Sequence, residues 1–186
     1  MSTLEVNKIT PSTGTSITLG DSGDTFTLPS GVTLTNNGTA SGFGKIGQVV
    51  QTFKNDNFST TSSTFTDVND MSVSITPSAT SSKILVGLFS YGTLSVGNNQ
   101  IFSIRLLRDS TVIANNFVND NFHTTYSASN IDASPIYTNF LDSPNTTSSV
   151  TYKMQVKTSG DTLHINRLGG AGAYSVSTFT LMEVLA

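Results

Sequence analysis

The sequence contains no cysteine and no tryptophan, and only two histidines and five prolines. Without cysteine, disulfides and thiolate metal sites are excluded. Charge is scarce as well: Asp, Glu, Lys and Arg make up 11% of the chain, against roughly 25% in a typical soluble domain. The nine Lys and Arg are scattered singly, the formal net charge is −3 and the pI is about 5.1, so no basic face exists for nucleic acid. No apolar run approaches the roughly 18 residues that span a bilayer, which argues against membrane insertion. The opening MSTLEVNKIT has no apolar centre of the secretory type. The sequons at Asn37, Asn57 and Asn145 then read as chance in a chain rich in Ser and Thr.

Ser and Thr occupy the places that charge leaves empty. Thr suits pleated surfaces and Ser suits turns, and few stretches favour helix, so the fold class expected is all-β. The most apolar stretch is residues 83–94, KILVGLFSYGTL. In a strand, Ile84, Val86 and Leu88 share one face, while Leu85, Phe89 and Tyr91 share the other. A strand with two apolar faces is covered on both sides. One cover is a second sheet of the same domain. With no helical pattern available as a third layer, the other is a further copy of the chain, which makes Leu85, Phe89 and Tyr91 candidate interface residues.

Residues 1–44 differ from the rest. Apolar–Thr–apolar triplets recur at Ile17-Thr-Leu19, Phe26-Thr-Leu28 and Val32-Thr-Leu34, separated by Gly20-Asp-Ser-Gly-Asp24 and Pro29-Ser-Gly31. Each triplet is too short to bury a core alone, so the segment is either disordered or held by partner chains. Three copies winding together would let each triplet face its equivalents across an axis. Residues 38–44, rich in Gly, read as a linker into a second domain, residues 45–186.

In that domain strands are expected at residues 47–53, 71–75, 83–94, 101–108, 112–115, 136–141, 150–158, 162–166 and 177–185. A Ser/Thr-rich loop is expected over 58–63. Inward positions are Phe102, Ile104 and Leu106, and Tyr152, Met154 and Val156. Strands at this spacing without helices indicate an antiparallel β-sandwich of the jelly-roll type.

Few motifs carry chemistry. Gly20-Asp-Ser-Gly23 is similar to the segment around the nucleophile of trypsin-like proteases, yet Ser22 has no upstream His and lies in the coreless stem, so a turn is the better reading. Asp21 and Asp24 supply too few oxygens for calcium. Gly169-Gly-Ala-Gly172 lacks the Lys and the helix of a phosphate-binding loop. His123 and His164 are isolated from any second ligand, and His164 reads as a surface or interface residue. No spacing selects a carboxylate pair for glycoside hydrolysis. No catalytic, metal or cofactor site is therefore expected. Glu183, on the face of Phe179 and Leu181, and Arg105, between Ile101 and Leu107, interrupt apolar faces. Either each points to solvent at a sheet edge, or the two approach each other within or between subunits.

Several stretches resemble one family. STLEVNKITPSTGTSITLGDSGDTFTLPSGVTL is similar to the N-terminal thread of fibre and other appendage proteins of marine tailed phages. SITPSATSSKILV, IRLLRDST, NFLDSPNTTSSVTYKMQV and STFTLMEVLA resemble their β-sandwich heads. The resemblance implies a homotrimeric virion component, assembled in the host cytoplasm. Residues 1–44 would attach to other virion proteins and the head would face outward. For contact with a host surface glycan or protein the candidates are Phe117, Phe122, His123 and Tyr126, aromatic residues among Asn and Ser in the irregular stretch 116–134. The alternative for these aromatics is packing under a long loop or at the trimer axis. The competing class for the whole chain is a capsid-decoration or neck protein that binds no receptor.

Overall fold

The computed structural model describes residues 9–10, 13–37, 46–95, 100–114, 123–127, 133–168 and 174–185; of residues 100, 114 and 123–127 it describes only the backbone. The chain divides into two units, residues 1–43 and 44–186.

In the first unit the described residues form no strand. Its order comes from two turns. Asp24 N–H donates to the Asp21 carbonyl and Val32 N–H to the Pro29 carbonyl. Gly23 and Gly31, at the third position of each turn, take φ of 99° and 87°, the left-handed value a type II turn requires there. The Asp24 carboxylate also accepts from Asp21 N–H at 2.8 Å, which accounts for the Asp at that turn's end. Ile17, Leu19, Phe26, Leu28, Val32 and Leu34 are all exposed.

The second unit is built from β1 (Ile46–Lys54), β2 (Phe58–Thr60), β3 (Thr66–Ile75), β4 (Lys83–Leu94), β5 (Gln100–Arg108) and β6 (Thr111–Ala114). They are followed by β7 (His123–Ser127), β8 (Ala133–Asp142), β9 (Val150–Thr158), β10 (Leu163–Ile165) and β11 (Ser177–Val184). One sheet runs β1-β11-β4-β8, with β10 and β2 continuing the β11 and β1 rows along the lower half of β4. The other runs β3-β9-β5, with β6 and β7 sharing the far edge of β5. Every pairing is antiparallel, and successive long strands alternate between sheets, the arrangement of a jelly roll.

Strand alternation fills the space between the sheets. Ile84, Val86 and Leu88 meet Phe102, Ile104 and Leu106, with Tyr152, Met154, Val156, Phe179 and Leu181, all buried. The inward residues expected from sequence are the ones found. Gly92 belongs to this layer: a Cβ there would lie 2.6 Å from Phe102 Cζ and 3.2 Å from Ile136 Cδ1. Gly92→Ala is expected to cost about 2 kcal/mol by displacing the Phe102 ring, which chemical denaturation would measure; a cost within error would show that the ring has room to move.

Three local features differ from expectation. The stretch 58–63 carries the short strand β2, because Phe58, Ser59 and Thr60 pair with β10. Strand β3 begins five residues earlier than the alternation of Met71, Val73 and Ile75 indicates. A register shift between Asp67 and Ser72, with Asp70 at φ 62°, turns both Val68 and Met71 inward, which a period of two cannot show. The irregular stretch 116–134 contains β7, paired with β5.

Candidate interaction surfaces

The outward residues of the first sheet form rows across its strands. One is Val49, Met182, Leu85 and Leu141; the next is Gln51, Thr180, Gly87 and Asn139; the third is Phe53, Thr178, Phe89 and Tyr137. Tyr91, paired with Pro135, begins the next row on the same face and meets Phe89 edge-on, with ring centroids 5.4 Å apart. Phe53, Val49, Leu141 and Tyr137 are more than half exposed. No charged residue stands in these rows. Because Gly87 has no side chain, the middle row sinks into a depression of about 310 Å³ between Gln51, Asn139, Thr178, Thr180 and Phe89. Leu85, Phe89 and Tyr91, grouped by sequence, all lie on this face.

The outward face of the second sheet is its opposite in character. Lys153 pairs with Asp67 at 2.9 Å, and Asp67 also accepts from Gln155. Arg105 Nε donates to Gln155 Oε1 at 2.8 Å, and both Arg105 and Lys157 sit over the Phe65 ring, at 4.1 and 4.6 Å. Burial works against the Asp67 charge, but the hydrogen bonds from Gln155 and Lys153 leave its pKa below the ordinary value. This is a solvated charged surface.

Arg105 and Glu183 therefore do not meet within one chain. Glu183 is 1% exposed rather than solvent-facing. Strand alternation turns it inward at the end of β11, where the connection between β3 and β4 supplies donors. Ser78 N–H and Oγ donate to Oε1 at 2.6 and 2.7 Å, and Gln48 Nε2 to Oε2 at 2.7 Å. Gln48 also donates to the Thr76 carbonyl, so one carboxylate ties together β1, the end of β3 and β11. Burial opposes its ionisation, but the hydrogen bonds from Gln48 and Ser78 prevail and bring its pKa down to about 2.

Two further buried polar groups give no strong sequence signal. Lys54 ends β1 with its side chain fully buried, its Nζ donating to Asp56 at 2.6 Å and to Asn69 at 3.2 Å. Asp142 accepts from Tyr152 Oη at 2.7 Å and from Arg108, joining the sheets at one end. Burial first, then the Asp142 hydrogen bond, pushes the Tyr152 pKa up. Only the polarity of Lys54 and Asp142 beside inward apolar positions hints at either network.

His164 is buried, not a surface residue. Its Nε2 lies 2.8 Å from Ser95 Oγ, and its Nδ1 lies 3.2 Å from Asn57 Oδ1, the connectivity of a serine–histidine–amide triad. Arg167 Nη1, however, lies 3.0 Å from the same Nε2. A general base must become imidazolium, whereas burial and the adjacent guanidinium both lower the His164 pKa. The group is a structural junction between the ends of β4 and β10. Ser22 sits in the exposed Asp21–Asp24 turn. Among the described residues no group of three His, Asp or Glu could hold a metal ion.

Of the candidate contact residues, Phe117 and Phe122 lie outside the described residues, as does the 169–172 segment. His123 and Tyr126 are placed by backbone alone, in β7 opposite Ile104 and Ile101.

No family model and no curated protein matches the chain. Among solved structures it is similar to VP2 of infectious bursal disease virus. A mutant VP2 in T=1 particles aligns at 16% identity over 75% of this chain and 36% of that one, with a TM-score of 0.39. The Gx strain aligns at 16% identity over 75% and 37%, with a TM-score of 0.36. The chain spans little more than a third of the length of those proteins.

Proposed function

We propose that this chain is a non-enzymatic structural component of a tailed-phage particle, a homotrimeric fibre of tail or neck. Residues 1–44 form its virion-attachment stem and the jelly roll its outward head. The observation that carries the reading is the stem: six large apolar side chains in three triplets are exposed, in a segment whose described residues form local turns and no strand. Apolar groups spaced along a coreless segment are buried by neighbouring chains or not at all. The sequence resemblance to phage appendage proteins supplies the rest. Immunogold labelling of intact particles tests it; a chain absent from purified virions would exclude the reading.

Host recognition is assigned to Phe117, Phe122, His123 and Tyr126. Replacing Phe122, His123 and Tyr126 with Ala is expected to leave the melting temperature nearly unchanged and to abolish adsorption. Particles that assemble with the variant and still adsorb would move recognition elsewhere. The purely architectural reading, a decoration or neck protein, draws on the neutral apolar face of the first sheet, which suits permanent contact better than reversible binding. Tight association of the isolated protein with capsid or neck proteins, without cell binding, would select it.

A further inference from the structure

We infer that the outward face of the sheet β1-β11-β4-β8 is where copies of this chain meet, with its aromatic and aliphatic rows buried against a neighbouring copy. The inference rests on the homotrimer reading and adds the surface that builds it.

The two sheets set the contrast. One outward face carries Arg105, Lys153, Lys157 and Asp67 in bonded networks, whereas the three rows of the other carry no charge, and Lys83, one row beyond Leu85, turns to Ser143 Oγ at 2.8 Å. A sandwich exposed on both sides would gain solubility from charge on both. The neutral rows lack any patch that would select an acidic or basic partner, and in a chain of net charge −3 they let identical copies meet without like-charge repulsion across the contact. The middle row fits self-association as well. Gln51 Nε2 donates to Thr180 Oγ1 at 2.6 Å within the chain, and the remaining capacity of its amide, with that of Asn139, can be satisfied between opposed copies, whereas a purely apolar partner would leave it unmet.

Size defines what the face can do. Four strand rows about 4.8 Å apart and three side-chain rows about 6.8 Å apart give a footprint on the order of 400 Å². That is about half of the roughly 800 Å² per partner in a stable interface. The head contact alone is therefore weak, and the stem triplets supply the remaining apolar area.

The test uses the full chain. In the variant Phe89→Glu with Tyr137→Glu, the dissociation constant for assembly measured by sedimentation is expected to rise at least about thirtyfold, as for an unpaired charge in a buried contact. Ser72→Glu, on the charged face opposite Lys153, should change nothing. Because the chain has no cysteine, Tyr137→Cys and Ser72→Cys each provide a single thiol for labelling, which guards against a misfolded double variant. Tyr137 is 76% exposed in the single chain. Slow labelling at position 137 in the assembly, relieved on dilution to monomer, supports the inference. Fast labelling there in an intact trimer overturns the face and leaves the trimer standing. Protection that survives dilution points to the chain's own stem and overturns it too. A wild-type chain that sediments as a monomer at every concentration overturns both readings. Glycan binding by such a monomer, lost in the double variant, would make the face a sugar platform instead.

Discussion

Deleting residues 1–44 is expected to leave a cooperatively folding head and to eliminate incorporation into virus particles. Every described residue of the buried core cluster lies between Val68 and Leu181, outside the deleted segment. The fragment should give a β-type circular dichroism spectrum and a melting temperature close to that of the full chain. Its trimer, held by the sheet face alone, should dissociate at concentrations where the full chain remains assembled. The complementary peptide 1–44 is expected to be unstructured. Fixing its backbone costs roughly 1–2 kcal/mol per residue, and three triplets of largely exposed side chains bury too little to offset that. A head fragment that does not fold, or a stem peptide that is ordered alone, would overturn the division of roles. Particles that incorporate the truncated chain would place attachment in the head.

Glu183→Ala is expected to destabilise the head by about 3 kcal/mol, a loss of roughly 10 °C in Tm. The substitution removes the shared acceptor of the partly buried Ser78 N–H and hydroxyl and one of the two acceptors of the Gln48 amide, and it empties a site that is itself 1% exposed. The same carboxylate predicts an acid limb of stability. Its folded pKa of about 2 lies below the ordinary value of 4.5, so its contribution is fully present above pH 4.5 and declines as the pH falls towards 2. The amount lost over that window is on the order of 3 kcal/mol. Glu183→Gln should flatten this limb, because its amide does not titrate. Urea denaturation of both proteins between pH 2 and 6 measures the difference. Parallel curves would show that the donors around Glu183 do not favour its charged form.

These two effects differ in how far the sequence announces them. The triplets of residues 1–44 stand out in the sequence directly, since each is too short to bury a core within one chain, and the described residues there form no strand. The network around Glu183 is not. The sequence shows an acidic residue on an apolar face, and both readings drawn from that, exposure or a partner in Arg105, fail within the chain. Its partners, Gln48 and Ser78, stand 135 and 105 residues away and come together only when β1 and the β3–β4 connection close over the end of β11.

The same division runs through the molecule. The sequence by itself determined the all-β class, the inward sets Phe102, Ile104, Leu106 and Tyr152, Met154, Val156, and the two-faced character of Lys83–Leu94. These follow from the period-two geometry of a strand, which needs no knowledge of neighbours. Only the tertiary structure decided the bulge at Asp70 that turns both Val68 and Met71 inward, the pairing that makes 58–60 a strand, and the burial of Lys54 and His164. It alone also aligned Val49, Met182, Leu85 and Leu141 into one row, with Phe53, Phe89 and Tyr137 in a row four residues along. Alternation states which side of a strand a residue occupies, but not which strands lie beside it. A surface spread over four strands exists only once sheet order and register are set.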